Sequence, residues 1–198
     1  MRRVIVNEFM SLDGVAQAPG GEEEDTSGGF QYGGWHLGYL DERAQQWVLQ
    51  AILEAGGFLL GRRTYEIFAS YWPNASDEEQ VIAEPLNTKP KYVASTTLAE
   101  PLAWQNSTLL QGHVADAVAA VRQEDGGGDV HVIGSTQLVE TLIEHRLVDE
   151  LRVMIDPLLL GGGKRIFRDD GVRRPLRLVA GEVTTAGAIL ATYAPAES

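Results

Sequence analysis

The 198-residue chain contains no cysteine. That absence removes disulfides, thiolate metal centres and thiol nucleophiles, and it permits a reducing compartment. The four histidines, His36, His113, His131 and His145, lack the paired spacing of metal ligands, so no metal is expected. No apolar stretch approaches membrane-spanning length, and "MRRVIVNEF" lacks the hydrophobic region of a signal peptide. The cytoplasm is therefore the expected compartment. Positive charge is scarce, with 16 Lys and Arg against 28 Asp and Glu, a net of −12. Such a chain repels nucleic acid and anionic membranes, and any anionic ligand needs a local site. Two common phosphate signatures are also missing: no Gly-x-Gly-x-x-Gly follows a strand, and "LLLGGGKR" lacks the first glycine and the final Ser/Thr of a Walker A loop. ATP hydrolysis is not expected.

What remains suits one soluble domain over residues 1–198, with 44% hydrophobic and 22% charged residues. The β-branched run Arg2 to Phe9 reads as a buried strand. Ser11 to Gly38, which includes "PGGEEEDTSGG", has no regular period and reads as a mobile flap or a solvated loop. Asp41 to Ala55 has apolar residues at helical spacing, and Gly56 can stop that helix. "GFLLGRRTYEIF" predicts strand, turn and helix, and "KPKYVAST" predicts a second strand ending in hydroxyls. "HVADAVAAVRQED" predicts a helix closed by Gly126 to Gly128. "DVHVIG" then predicts a strand, and "STQLVETLIEHR" a helix. After "ELRVMIDPLLL" the tail is all strand, with a hairpin inside "PLRLVAGEVTTAGAILATYA". Alternating β and α followed by β alone implies a mixed sheet with helices on its faces and antiparallel strands at one side.

Three strand ends carry residues suited to phosphate. Gly134 permits close backbone approach, and Ser135 and Thr136 open a helix whose free N–H groups suit an anion or simply await a cap. Arg62 and Arg63 after Gly61 supply forked donors or solvated surface charge, and Thr64 can cap the helix or bind the same anion. Ser95, Thr96 and Thr97 add hydroxyls. Together they suggest a dinucleotide across the C-terminal edges of the sheet.

The motifs "SLDG", "GRRTYE", "KYVAST", "VIGSTQLVETLIEHRLVDELRV" and "PLLLGGGKRIF", in that order over nearly the whole chain, resemble the dihydrofolate-reductase-like family. That family includes small bacterial reductases and the reductase domain of the bifunctional riboflavin-biosynthesis enzyme. The resemblance implies a three-layer α/β/α fold with a mixed, mostly parallel central sheet and antiparallel C-terminal strands. It implies NADPH-dependent reduction of a pteridine-like, aminopyrimidine-like or carbonyl substrate, including the 5-amino-6-(5-phosphoribosylamino)uracil type. By position, Gly61, Arg62, Arg63 and Thr64 match the phosphate-contacting segment, and Ser95 and Thr96 the 2′-phosphate contacts. Gly134, Ser135, Thr136, Gln137 and Leu138 match the pyrophosphate turn. The nicotinamide is expected near Met10 to Ala16, and a homodimer is implied. Gln45 and Gln46 stand where folate reductases carry an acid, and Val15 where riboflavin reductases carry lysine, which argues against both of those substrates.

Hydride addition to C=N or C=O needs a proton. Asp13 is the first candidate for the acid, unless "SLDG" is a turn in which its carboxylate binds backbone amides. Glu8 and Asp41 rank behind it. Met10, Trp35, Phe68 and Trp72 are candidates to wall the substrate, or are core. Two alternatives stand beside the reductase: a non-catalytic NADP-binding or sensing module, and a structural protein that kept the fold.

Overall fold

The computed structural model describes residues 1–196. One eight-stranded sheet carries the chain. In chain order the elements are β1 (Val4–Ser11), α1 (Glu42–Glu54), β2 (Gly57–Gly61), α2 (Arg62–Tyr71), α3 (Gln80–Thr88), β3 (Lys91–Ala94), β4 (Ser107–Leu110), α4 (Val114–Gln123), β5 (Val130–Ile133), α5 (Thr136–Glu144), β6 (Glu150–Asp156), β7 (Leu176–Val183) and β8 (Ile189–Pro195). The strand order is β4-β3-β2-β5-β1-β6-β8-β7. All pairings from β4 to β6 are parallel, and β8 pairs antiparallel with both β6 and β7. The fold is thus the mixed, mostly parallel sheet with antiparallel C-terminal strands expected of the dihydrofolate-reductase-like class.

The central strands are apolar without alternation because both faces are covered. Leu59, Val4, Val6, Val130 and Val132 pack with Val118 and Val121 of α4 and with Leu138, Val139 and Leu142 of α5. Phe58, Leu60 and Val93 face the other way, onto Ile52 of α1, Tyr65 of α2 and Leu86 of α3. Successive residues of β2 therefore serve opposite helix layers.

Two elements escape sequence reading. The helix α3 contains Pro85 in its interior, normally a breaker, yet Pro85 is buried and the helix end is held from outside. The Lys91 ammonium, almost wholly buried, donates to the carbonyls of Leu86 (2.8 Å), Asn87 (3.1 Å) and Lys89 (2.9 Å) and sits 4.4 Å above the Trp104 ring. It satisfies the orphan carbonyls of the last turn, and burial pulls its pKa down to about 8. The four-residue β4 lies at the sheet edge, too short for its alternation to register.

The loop between β1 and α1 is irregular as expected, but it is no free flap. Val15, Ala16, Gln17 and Ala18 are buried within it. Gln17 Nε2 donates to the carbonyls of Asp25 and Ser27, both at 2.9 Å, while Gln17 Oε1 accepts from Lys164 N at 3.0 Å. His36 Nδ1 lies 2.8 Å from Asp156 Oδ2 at the end of β6, and its ring stacks on Phe9 at 3.9 Å.

At the N-terminal edge of the sheet, Arg2 is buried and joins Gly128 O (2.7 Å), Tyr92 Oη (2.8 Å) and Glu124 (3.1 Å). This clamp brings the "GGG" turn against Gly56, where an added Cβ would lie 1.4 Å from Gly127 O. Backbone on both sides cannot yield cheaply. Gly56→Ala is expected to destabilise the protein by about 3 kcal/mol, whereas Gly162→Ala, with open space around it, is expected to stay within about 0.5 kcal/mol of the parent in urea unfolding.

Candidate functional site

A cavity of about 1030 Å³ opens at the C-terminal ends of β1, β2, β3 and β5, on either side of the place where β5 is inserted between β2 and β1. Such a reversal of strand order leaves a crevice where α/β proteins bind ligands. Gly61, Arg62, Arg63, Thr64, Ser95, Thr96, Gly134, Ser135, Thr136, Gln137 and Leu138 all line this one space. Phe68 and Trp72 join them.

The cradle comes from two helix starts forced together. At Gly61 an added Cβ would sit 2.3 Å from Ser135 Oγ, and at Gly134, with φ +52°, it would sit 2.7 Å from Thr64 Oγ1. Only glycine permits this approach of the β2 and β5 ends. The N-caps are Gly61 for α2 and Ser135 for α5, and neither makes a side-chain cap bond. Thr64 lies inside α2 and not at its cap. Two positive dipole ends with free N–H groups thus face the cavity side by side.

Neither arginine stands alone beside this cradle. Arg63 pairs with Asp25 of the β1–α1 loop, and Arg62 Nη1 pairs with Glu66 one turn on, at 2.9 Å. Ser95 Oγ accepts from Thr97 N (3.1 Å) and Leu98 N (3.0 Å), which folds the hydroxyl turn after β3. Asp25 also binds Lys164 Nζ at 2.5 Å. Burial opposes its ionisation, but hydrogen bonds from Lys164 and Ser27 and the Lys164 charge outweigh burial and hold its pKa at about 2.

The proton-donor assignment to Asp13 is corrected. Its carboxylate accepts from Ser11 Oγ (2.6 Å), Leu160 N (3.1 Å) and Gly161 N (2.8 Å), and it lies outside the cavity lining. The Ser11 hydroxyl first, then the two amides, depress its pKa to about 2. It is the turn carboxylate that fastens the strap after β6, not an acid at neutral pH. Asp41 is likewise structural. It caps α1 through Ala44 N (3.0 Å), and Thr185 and Ala186 of the β7–β8 turn donate to its other oxygen. Met10 and Trp35 are also corrected as substrate contacts. Met10 packs against the core, and Trp35 Nε1 donates to Gln17 O at 2.8 Å inside the loop.

Four acids line the cavity, Glu23, Glu24 and Asp25 from the loop and Glu8 from β1, the last flanked by Asn7 and Phe9. Glu8 is 6% exposed, and its Oε1 accepts from Gly134 N at 3.1 Å. Burial raises its pKa to about 8 against that hydrogen bond, with the neighbouring Glu24 charge adding to the rise. The available signal was a carboxylate inside the apolar run "VIVNEF", where a surface acid has no place. Among the described residues no group of three or more His, Asp or Glu could hold a metal ion.

A mostly parallel sheet with antiparallel C-terminal strands and a cleft at its strand ends defines an α/β protein of the dihydrofolate-reductase-like class. The model of the RibD C-terminal domain family matches residues 2–190, and the chain belongs to that family. Membership supports a reductase-type function. The uncharacterised protein YyaP of Bacillus subtilis strain 168 is 26% identical over 194 residues, covering 97% of this chain and 94% of that one. A crystal structure from Shewanella sp. PV-4, assigned provisionally to riboflavin biosynthesis, is 20% identical and superposes with a TM-score of 0.70, covering 98% and 99% of the two chains. A pyrimidine reductase-like protein from Corynebacterium diphtheriae is 12% identical with a TM-score of 0.62, covering 100% and 93%. These two likenesses show the shared fold.

The buried Glu8 carries a stability consequence. Its folded pKa of about 8 lies above the ordinary 4.5, so between those values the unfolded chain has released a proton that the folded one keeps. Stability therefore falls as pH rises through this window, by an amount on the order of 4 kcal/mol once pH exceeds the folded value. Glu8→Gln does not titrate. Its melting temperature is expected to exceed that of the parent, by a margin that grows from pH 5 to pH 9 in calorimetry.

Proposed function

We propose that the protein is an NADPH-dependent reductase whose dinucleotide lies across the ends of β3, β2 and β5. The observation that carries this reading is the pair of uncapped helix N-termini, α2 and α5, brought together over one cavity. Their N–H groups suit a pyrophosphate, which would rest on Gly61 to Thr64 and Gly134 to Leu138. The hydroxyls of Ser95 and Thr96 suit a 2′-phosphate, with Arg62 exchanging its exposed pair with Glu66 for the stronger phosphate contact. When bound, NADPH supplies a hydride. The nicotinamide end would then approach Asn7 to Phe9 and the loop residues Ala16 to Asp25, which meets the Met10 to Ala16 stretch implied by resemblance at Ala16.

Fluorescence titration tests this. Wild-type protein is expected to bind NADPH below about a hundred micromolar, Arg62→Ala to weaken it about tenfold, and Ser95→Asp to weaken NADPH far more than NADH. Asp keeps the turn that Ser95 makes, so the loss reads charge against the 2′-phosphate. Absence of any NADPH binding by the wild type overturns the reading. Binding without oxidation across a broad substrate panel favours the non-catalytic module.

We also propose a homodimer. All eight residues of the edge strand β7 are exposed, and Leu176, Leu178, Val179 and Val183 are among them. An open apolar edge of that length needs a cover, and a second copy supplies an equal one. Light scattering is expected to give twice the 21.6 kDa chain mass, and Leu178→Lys with Val183→Lys to halve it.

A further inference from the structure

We propose that Glu8 is the acid that protonates the substrate during reduction, and that this substrate is an unphosphorylated heterocycle reduced at a C=N bond. The inference rests on the NADPH-reductase reading and extends it to the other half of the cavity.

The geometry comes first. Glu8 is the carboxyl that β1 presents to the cavity, and Gly134 N is its one hydrogen-bond partner among the described residues. The second oxygen is left to the ligand space. The same Gly134 begins the phosphate turn, so the acid and the cofactor cradle are joined by a single 3.1 Å hydrogen bond. A carboxyl that stays protonated at neutral pH is a donor there, and burial supplies that state. The Asp13 and Asp25 carboxylates are held ionised at about 2 and cannot serve.

The reaction would balance with a bound reduced nicotinamide as the hydride source and Glu8 as the proton source. Hydride from the reduced nicotinamide forms a C–H bond at the carbon of C=N, and the π pair moves to nitrogen. Nitrogen takes the Glu8 carboxyl proton, forming N–H and leaving a Glu8 carboxylate. Water at the cavity mouth returns the proton.

Charge around Glu8 selects the substrate class. The charged groups sharing its cavity are Glu23, Glu24 and Asp25 of the loop, Arg62 and Arg63 of α2, and Lys164 after β6. Arg63 and Lys164 both pair with Asp25, and Arg62 pairs with Glu66 at the cofactor side. At this end of the cavity, among the described residues, three acids (Glu23, Glu24 and Asp25) stand against two cations (Arg63 and Lys164) that share one carboxylate, a balance that disfavours a second phosphate. Burial raises the Glu24 pKa, against the hydrogen bonds it accepts from Gly20 N and Gly21 N.

The test compares wild type, Glu8→Gln and Glu8→Asp as full chains, with 7,8-dihydroneopterin and its 3′-phosphate as probes. Gln keeps an acceptor for Gly134 N but has no proton. With the unphosphorylated probe, wild-type kcat/KM is expected to fall above about pH 8, and Glu8→Gln to lose at least about a hundredfold in kcat with NADPH affinity within threefold. Glu8→Asp should recover part of the rate with a shifted pH limb. The phosphorylated probe should lose at least about tenfold in kcat/KM. A substrate-independent measurement accompanies this: difference infrared spectra against Glu8→Gln should show a protonated carboxyl at pH 7, with its midpoint near pH 8 moving on addition of NADPH but not of ADP-ribose.

Wild-type turnover retained by Glu8→Gln overturns the proton-donor role, as does an ionised Glu8 at pH 7 or a midpoint insensitive to NADPH. Equal or better use of the phosphorylated probe, or no turnover of either with NADPH bound, overturns the substrate class. Failure of the wild type to bind NADPH strikes the underlying reductase reading instead, and the fluorescence titration registers that separately.

Discussion

The site depends on how closely the C-terminal ends of β2 and β5 approach. Ser135 Oγ occupies the place of a Cβ on Gly61, and Thr64 Oγ1 that of a Cβ on Gly134. This steric constraint sets two helix N-termini beside each other, which concentrates partial positive charge without spending a charged side chain. It also aims the Gly134 N–H at β1, where it meets Glu8. A bulkier residue at either glycine would part the helices and release the acid together. The paired helix N-termini and the acid are therefore one structural unit.

Chain topology explains why that unit is open to ligand. After β4 the chain returns to the middle of the sheet and inserts β5 between β2 and β1. The helices flanking β5 and β2 pack on opposite faces, so nothing covers the strand ends between them. The long loop after β1 becomes the wall on one side. Gln17, Asp25 and His36 hold it by contacts to Lys164, Arg63 and Asp156, which belong to three separate parts of the chain. A loop tied at three points is a shaped surface, and the acid-rich stretch supplies its charge.

Most of the sheet was legible because buried parallel strands read as short apolar runs, and Gly56, Gly61 and Gly134 punctuate them where the chain must turn. That Gly61 to Thr64, Ser95, Thr96 and Gly134 to Leu138 gather at one cavity was legible for the same reason: each group comes at the end of a strand. What failed had identifiable causes. Pro85 concealed α3, whose last turn depends on a lysine from the following strand. Asp13 looked catalytic because "SLDG" sits at a loop mouth, but its partners Leu160 and Gly161 are nearly 150 positions away and invisible locally. Glu8 was underrated because its importance comes from burial, which depends on α5 and the loop closing over β1.

The electrostatics resolve an apparent conflict in composition. A chain of net charge −12 should repel a dinucleotide carrying several phosphates, and the expected remedy was a pair of free arginines. Arg62 instead pairs with Glu66, and Arg63 shares the single Asp25 carboxylate with Lys164. Backbone dipoles do not need counter-ions and cannot be titrated, so they provide attraction that the surrounding carboxylates do not cancel by pairing. The acidic residues can then surround the far end of the cavity, where burial first, and the neighbouring Glu24 charge after it, hold the Glu8 pKa up. Separating attraction into the backbone and repulsion into the side chains would let one cavity hold an anion at one end and a neutral acid at the other.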